Sequence, residues 1–321
     1  MNYVTRLTVA VLALALTAGA AAAQRSTTAT LLASGLQGTI GSTIGPDGAL
    51  YVPEAVPGKI SRIDLETGAV STFASGLPPR VFPIPNGGVI DVAFLDGTAY
   101  VLITLVGSDV GGTSVNGIYR IDGPTSFTVI ADIGTFATAH PPPPIFPIQV
   151  HSGLQFAMQP YHGGFLVTDG HLNRVYFVDL NGEVTQVIQF DDIVPTGLTL
   201  RGDTVYLAEA GPIPHLPQDG RVVSFEPGET SVTTVATGAP LNVGVRFGPG
   251  HKLYALAQGH WSDTVAGTPA DPNTGMLMKA KDGVFMPVVT GLDRPTSFQV
   301  IGHTAYVVTL TGQVWKIEHL P

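Results

Sequence analysis

One pattern recurs along this chain and constrains its fold more than any other feature. An apolar strand, a tight turn, a strand centred on an aromatic, a third strand, a second tight turn and a fourth strand follow one another six times. The aromatics are Tyr51, Tyr100, Phe165, Tyr206, Tyr254 and Tyr306. The clearest copy runs from Ser42 to Leu77: STIGPDGALYVPEA, then GKISRID, then GAVSTFASGL. Each segment alternates or runs apolar in Val, Ile, Thr, Tyr and Phe and is bounded by Gly, Pro, Asn and Asp, which is strand chemistry. Pro46-Asp47-Gly48, Asn181-Gly182 and Asp282-Gly283 supply the positive-φ residue that a tight hairpin needs. Beyond the first residues no stretch shows a 3.6-residue period, so the chain reads as all-β. Four-stranded units of about 40–50 residues in tandem predict a β-propeller. The expectation is a six-bladed β-propeller with four-stranded antiparallel blades. A single blade cannot bury both faces, whereas blades in a ring cover one another. The sixth copy stops at Pro321, one strand short. Thr30 to Gly35 resembles the blade-ending segments Thr72 to Gly76 and Val235 to Gly238. The N-terminal strand is therefore expected to close the ring by pairing into the last blade.

Residues 1–23 read as a secretory signal peptide. Arg6 gives a positive start, Leu7 to Leu16 is apolar apart from Thr8, and Ala21-Ala22-Ala23 precedes Gln24 as a small-residue cleavage site. Residues 24–321 are then one propeller domain, exported to the periplasm or the extracellular space. No later apolar run is long enough for a membrane span, which takes about 18 residues. The chain has no Cys, so disulfides, thiolate metal sites and Cys nucleophiles are excluded. The net charge of −9 argues against nucleic acid as a partner.

The lengths of the connections point to one face of the disc. With strands a to d numbered outward in each blade, the a–b and c–d turns are tight. The long connections are b–c (residues 106–116, 211–220 and 259–275) or d–a (78–88 and 137–150). Those two classes of loop share a face, and long loops carry function more often than tight turns. Inner-strand positions aligned three residues before Ile44, Phe94, Phe156, Leu200, Phe247 and Val300 are Gly41, Asp91, Gly153, Gly197, Gly244 and Ser297. Asp91 is the exception in a ring of small residues, and Arg246, on the neighbouring ring, is its candidate partner. The mouth of the channel collects the candidate binding residues Asp91, His151, Asn242, Arg246 and Trp261. Glu54, Asp169 and Glu209 end their b-strands at the same face and join Asp91 as candidate metal ligands, because oxygen-rich clusters suit a divalent cation such as Ca²⁺. The alternative for each acid is that it caps its own loop. The run His140 to Pro147 reads as a polyproline II segment or a stiff loop. The remaining histidines show no metalloprotease spacing, and no nucleophile elbow, phosphate loop or dinucleotide fingerprint is present.

GPDGALYVPEA, GGVIDVAFLDGTAYVLI, ADIGTFATAHPP, VPTGLTLRGDTVYLAEAGPIPHLP and ATGAPLNVGVRFGPGHKLYAL together resemble the ScyD/ScyE family. The resemblance covers about Leu32 to the C-terminus. It departs from the family at the short Pro57-Gly58 connection and at Gln149-Val150-His151, both mouth positions. It implies an exported six-bladed propeller of the NHL/gluconolactonase-like kind and leaves the activity open. Two functions stand as expectations. One is a non-catalytic binding or scaffolding module that holds a small molecule, glycan or protein on the long-loop face. The other, by analogy with related propellers, is a Ca-dependent hydrolase or lactonase with the ion at the mouth of the channel.

Overall fold

The computed structural model describes residues 26–144, 148–263, 265 and 267–321. The expected signal peptide and residues 145–147 of the proline-rich run lie outside them. The first strand is β1 (Thr28–Ala33). It is followed by a sheet of β2 (Thr43–Ile44), β3 (Leu50–Glu54), β4 (Lys59–Ile63) and β5 (Val70–Ser75). The next is β6 (Gly88–Leu95), β7 (Thr98–Thr104), β8 (Gly117–Gly123) and β9 (Ser126–Asp132). A third comprises β10 (Gln155–Tyr161), β11 (Gly164–Asp169), β12 (Arg174–Asp179) and β13 (Val184–Gln189). Two further antiparallel runs of four are β14 (Pro195–Arg201), β15 (Thr204–Glu209), β16 (Arg221–Phe225), β17 (Thr233–Thr237), then β18 (Asn242–Phe247), β19 (Leu253–Ala257), β20 (Gly275–Lys281), β21 (Val284–Leu292). They form one eight-stranded sheet through a single parallel pair, Thr237 with Val284. The last sheet is β22 (Pro295–Ile301), β23 (Thr304–Thr309), β24 (Val314–Glu318) and, outermost, β1. The fold is an all-β propeller with blades of four antiparallel strands.

The strand expected to close the ring pairs as the sequence indicated, with Thr28 opposite Glu318 and Leu31 opposite Trp315. On the inner side, Ser42 Oγ and Ser297 Oγ lie 2.8 Å apart, and Gln299 donates to the Ser42 carbonyl. The first and last sheets are thus joined at the axis, and β1 is joined to β24 at the rim. Deleting residues 26–33 uncovers the edge of β24 and the apolar cluster of Ala33, Leu36, Val308 and Val314. The melting temperature is expected to fall by at least about 5 °C, since about 1 kcal/mol moves Tm by about 2–4 °C in a chain approaching this size. Thermal unfolding of the truncated chain checks this.

The core lies between blades, not within them. Tyr100, Leu102 and Ile118 pack on Phe165, Val167 and Tyr176 of the next sheet, and the other blade pairs repeat this. The repeated aromatics supply the filling: Tyr51 meets Phe94 edge-on at 4.8 Å, and Tyr100 meets Phe165 at 5.0 Å. The hairpins use the residues their geometry demands: Asp282 and Gly283 both have positive φ, as a two-residue turn between twisted strands requires.

One element and one register depart from the sequence reading. Within the all-β fold a short helix, α1 (Ile133–Ala139), lies in the connection after β9. Asp132 caps it by accepting from Thr135 N at 2.8 Å. At seven residues α1 is too short to show a period, so its only trace in sequence is that cap. The third inner strand is also misaligned by the sequence reading. Met158, opposite Val167, occupies the register that Asp91 holds opposite Leu102. Gly153 precedes β10 instead, at φ 77°, where a Cβ would come within 2.0 Å of Asp169 Oδ2.

Candidate functional site

A cavity of about 440 Å³ opens on the face from which the long b–c and d–a loops emerge. Its floor is built at the entrances of the inner strands, by Ile40, Ile90, Thr196, Val243 and Thr296, each one residue before a position of the narrow ring. Strand alternation explains this: where the ring residue is small and points to the axis, its predecessor ends the strand at the mouth. Phe156 and Leu241 continue the apolar lining. The loops supply the rim. Asn86 Nδ2 donates to the Gly267 carbonyl at 2.8 Å and ties the 78–88 loop to the 259–275 loop. Phe82 and Val265 are exposed on these two loops, and Ile213 and Leu216 on the 211–220 loop.

Three titratable residues line this cavity: His171, His215 and Asp192. His171 follows β11 in a turn organised by Asp169, whose Oδ1 accepts from the backbone N of Leu154, His171 and Leu172 at 2.8–3.1 Å. The ring is pinned by its Nε2, which accepts from Gln149 N and Val150 N at 3.0 and 3.1 Å. His215, in the proline-rich loop, has Nδ1 2.7 Å from the Gly211 carbonyl. Its ring meets Trp261 edge-on, with centroids 5.3 Å apart. Burial holds the pKa of both imidazoles below the usual histidine value. The carboxylate of Asp192 acts on both in the opposite direction and is outweighed. Sequence reasoning passed these histidines over because it sought ligand spacing within one element. The available signal was their position in loops of the long-loop face.

The residues singled out from sequence are placed differently. Glu54, Asp169 and Glu209 each end a b-strand directly opposite a basic residue that begins the c-strand: Lys59, Arg174 and Arg221. Glu54 accepts from Lys59 Nζ, Ser61 Oγ and Gln37 N. Glu209 pairs with Arg221, which counters the upward push of burial on its pKa. Asp169 Oδ2 accepts from Gln155 Nε2 at 3.0 Å and Tyr176 Oη at 3.1 Å. Tyr176 in turn accepts from the fully buried Arg174, whose Nη1 donates to the His140 carbonyl at the end of α1. These acids serve their own blades, and they do not converge. Among the described residues no three of His, Asp and Glu stand together as a cation would need. Glu54, Asp91, Asp169 and Glu209, expected as one set, are each held by separate partners.

Asp91 and Arg246 do come together, beneath the cavity floor. They line a separate axial space of about 20 Å³ with Gly41, Gly197, Gly244 and Ser297. Asp91 accepts from Val92 N and Met158 N at 2.9 Å each. Arg246 Nη1 donates to the carbonyls of Leu198 and Val245 at 2.8 Å. The two charges interact through space: burial pushes the Asp91 pKa up to about 7 against the opposing pull of Arg246. His151 is exposed outside the cavity lining, although its charge acts on His171. Asn242 is fully buried and donates to the Arg221 carbonyl at 2.9 Å. Trp261 is corrected from a binding anchor to a packing residue. Its ring is buried with Ala210, Leu241 and Ala270, and Nε1 donates to Thr268 of its own loop.

No protein-family model matches the chain, and no curated protein sequence does. Solved structures match over most of its length. The PQQ-bound aldose sugar dehydrogenase of Streptomyces coelicolor has a TM-score of 0.61 at 14% identity, covering 91% of this chain and 98% of its own. A gluconolactonase of Xanthomonas campestris gives 0.61 at 12% identity, covering 94% and 93%. Virginiamycin B lyase of Staphylococcus aureus gives 0.55 at 14% identity, covering 91% and 99%. At such identities the likeness shows a shared fold, the β-propeller.

Proposed function

We propose that this chain is an exported, six-bladed propeller of the ScyD/ScyE kind that binds a small, largely apolar molecule on its long-loop face, in a non-catalytic role. The observation that carries the binding reading is the 440 Å³ cavity, whose size is that of small-molecule sites and whose floor is Ile40, Ile90 and Val243. The exposed apolar side chains around the mouth extend the same surface. The eight-stranded sheet counts as two blades, because its halves meet through one residue pair and each packs on its neighbours like the other blades. Export is supported by the leader-like residues 1–23, and no helix among the described residues is long and apolar enough to cross a membrane. The family reading is supported by the sequence segments from Leu32 onward.

Nile red is the probe for the cavity. One saturable site per chain is expected by fluorescence. Ile213→Lys places an ammonium at the rim from a position already 49% exposed, so the fold is spared. It is expected to weaken binding about tenfold, equivalent to about 1.4 kcal/mol, with an unchanged melting temperature. Non-saturable partitioning, or equal affinity in the variant, overturns the reading.

A further inference from the structure

His171 and His215 line the same cavity and are held by the backbone through opposite ring nitrogens. The Nε2 of His171 receives two backbone N–H groups. A nitrogen that accepts such bonds carries no proton, so the proton of the neutral ring is on Nδ1. His215 is the reverse. Its Nδ1 faces a carbonyl oxygen, which only an N–H can satisfy, so its Nε2 keeps a lone pair. The Nδ1 of His171 has no hydrogen-bond partner among the described residues, and the His215 ring meets the backbone of Ala210 besides the Gly211 carbonyl. Both rings line the cavity, and both feel the Asp192 carboxylate.

We propose that His171 and His215 form a donor–acceptor clamp for a neutral, largely apolar molecule that carries both a carbonyl-type acceptor and an N–H or O–H donor. This rests on the cavity reading above and adds the class of ligand. His171 Nδ1–H donates to the acceptor, and His215 Nε2 accepts from the donor. The remainder of the molecule lies on Ile90 and Val243. A neutral ligand fits because the apolar floor penalises an ion that loses its water there. The clamp is pre-organised: the backbone of Gln149 and Val150 fixes one ring, and the Gly211 carbonyl with Trp261 fixes the other. Trp261 is thereby a positioning residue. Both rings are held neutral at pH 7 by burial, against Asp192 on both sides and Asp169 on His171, and with His151 adding to the effect on His171.

The test uses planar probes of similar size. Quinolin-2-one and quinolin-4-one carry the donor and acceptor at two different spacings; their N-methyl derivatives lack the donor, and naphthalene lacks both. Calorimetric titration into residues 24–321 is expected to show at least one parent quinolone binding about tenfold or more tighter than its methylated form and naphthalene. That advantage disappears in His215→Phe and is retained in His215→Gln, whose amide oxygen replaces the Nε2 acceptor. It also falls as the pH drops below the ordinary histidine range, because protonated His215 has no lone pair to offer. Equal binding of naphthalene and both quinolones, or a preference for 1-naphthylmethylammonium, overturns the clamp and leaves the cavity reading standing. Failure of every probe, with Nile red also unbound, overturns both.

Discussion

Asp169→Ala is expected to destabilise the protein by roughly 3–5 kcal/mol, the largest effect of any single substitution at the mouth. The carboxylate is completely buried and receives five hydrogen bonds, three from the backbone of Leu154, His171 and Leu172 and two from Gln155 and Tyr176. Truncation leaves those donors facing a void that only water can fill. The loss reaches further than one turn. Tyr176 Oη bridges Asp169 to Arg174, and Arg174 is bound to the carbonyls at the end of α1. Removing the carboxylate breaks the relay that runs from the buried guanidinium through Tyr176. Asp169→Asn keeps the shape and one oxygen, which can serve the three backbone donors, so it is expected to cost less than half as much. Urea unfolding of both variants measures this. An alanine variant within about 1 kcal/mol of the parent would mean that water replaces the carboxylate at little cost. Ligand binding offers a second readout, since the turn that Asp169 organises carries His171.

The architecture was legible because a propeller writes its period into the chain. The aromatic of each b-strand, the Gly-containing hairpins and the lengths of the loops predicted strand order and the face that carries the cavity, and the likeness of Thr30 to Gly35 to the blade-ending segments predicted ring closure, which the strand Thr28–Ala33 provides. Each of those depends on local chemistry repeated many times. What stayed hidden depends on register. In the third blade Phe156 imitates the anchor aromatic, but the pairing of Met158 with Val167 shifts the strand by five residues. The b-strand acids looked like a converging set because sequence shows that they share a level, not that Lys59, Arg174 and Arg221 stand opposite them. The histidines were hidden for a related reason. Their roles are set by which ring nitrogen the backbone occupies, through Gln149 and Val150 in one case and Gly211 in the other. No spacing rule encodes that. Trp261 was visible as an aromatic in a long loop, but whether such a loop folds over its own tryptophan depends on partners such as Ala210, Leu241 and Ala270 from elsewhere in the chain.

Asp91 gives the second large effect, and its sign is opposite to that of an ordinary salt-bridged carboxylate. Its folded pKa is raised from 3.8 to about 7 because burial disfavours the anion more than Val92 N, Met158 N and Arg246 favour it. Between those two values the folded protein holds a proton that the unfolded chain has released. The stabilisation is complete below the unfolded pKa and is lost as the pH rises through about 7. A shift of about three pKa units corresponds to an order of 4 kcal/mol across that window. Asp91→Asn cannot ionise, so this slope is expected to vanish in the variant. It carries a cost of its own, about 1–3 kcal/mol, because the amide NH₂ must face one of the two backbone donors that the carboxyl oxygens now accept from. Relative to the parent the variant should therefore gain roughly 2–3 kcal/mol between pH 5 and pH 8, and it should be the more stable protein at pH 8. Histidines with lowered pKa values, His171 and His215 among them, contribute a slope of the other sign below the ordinary histidine value. That contribution is common to both proteins and cancels in their difference. Urea unfolding at pH 5, 6, 7 and 8 measures the difference directly. A gap that stays constant across the series would show that Asp91 is ionised throughout, with Arg246 fully balancing it in the axial space.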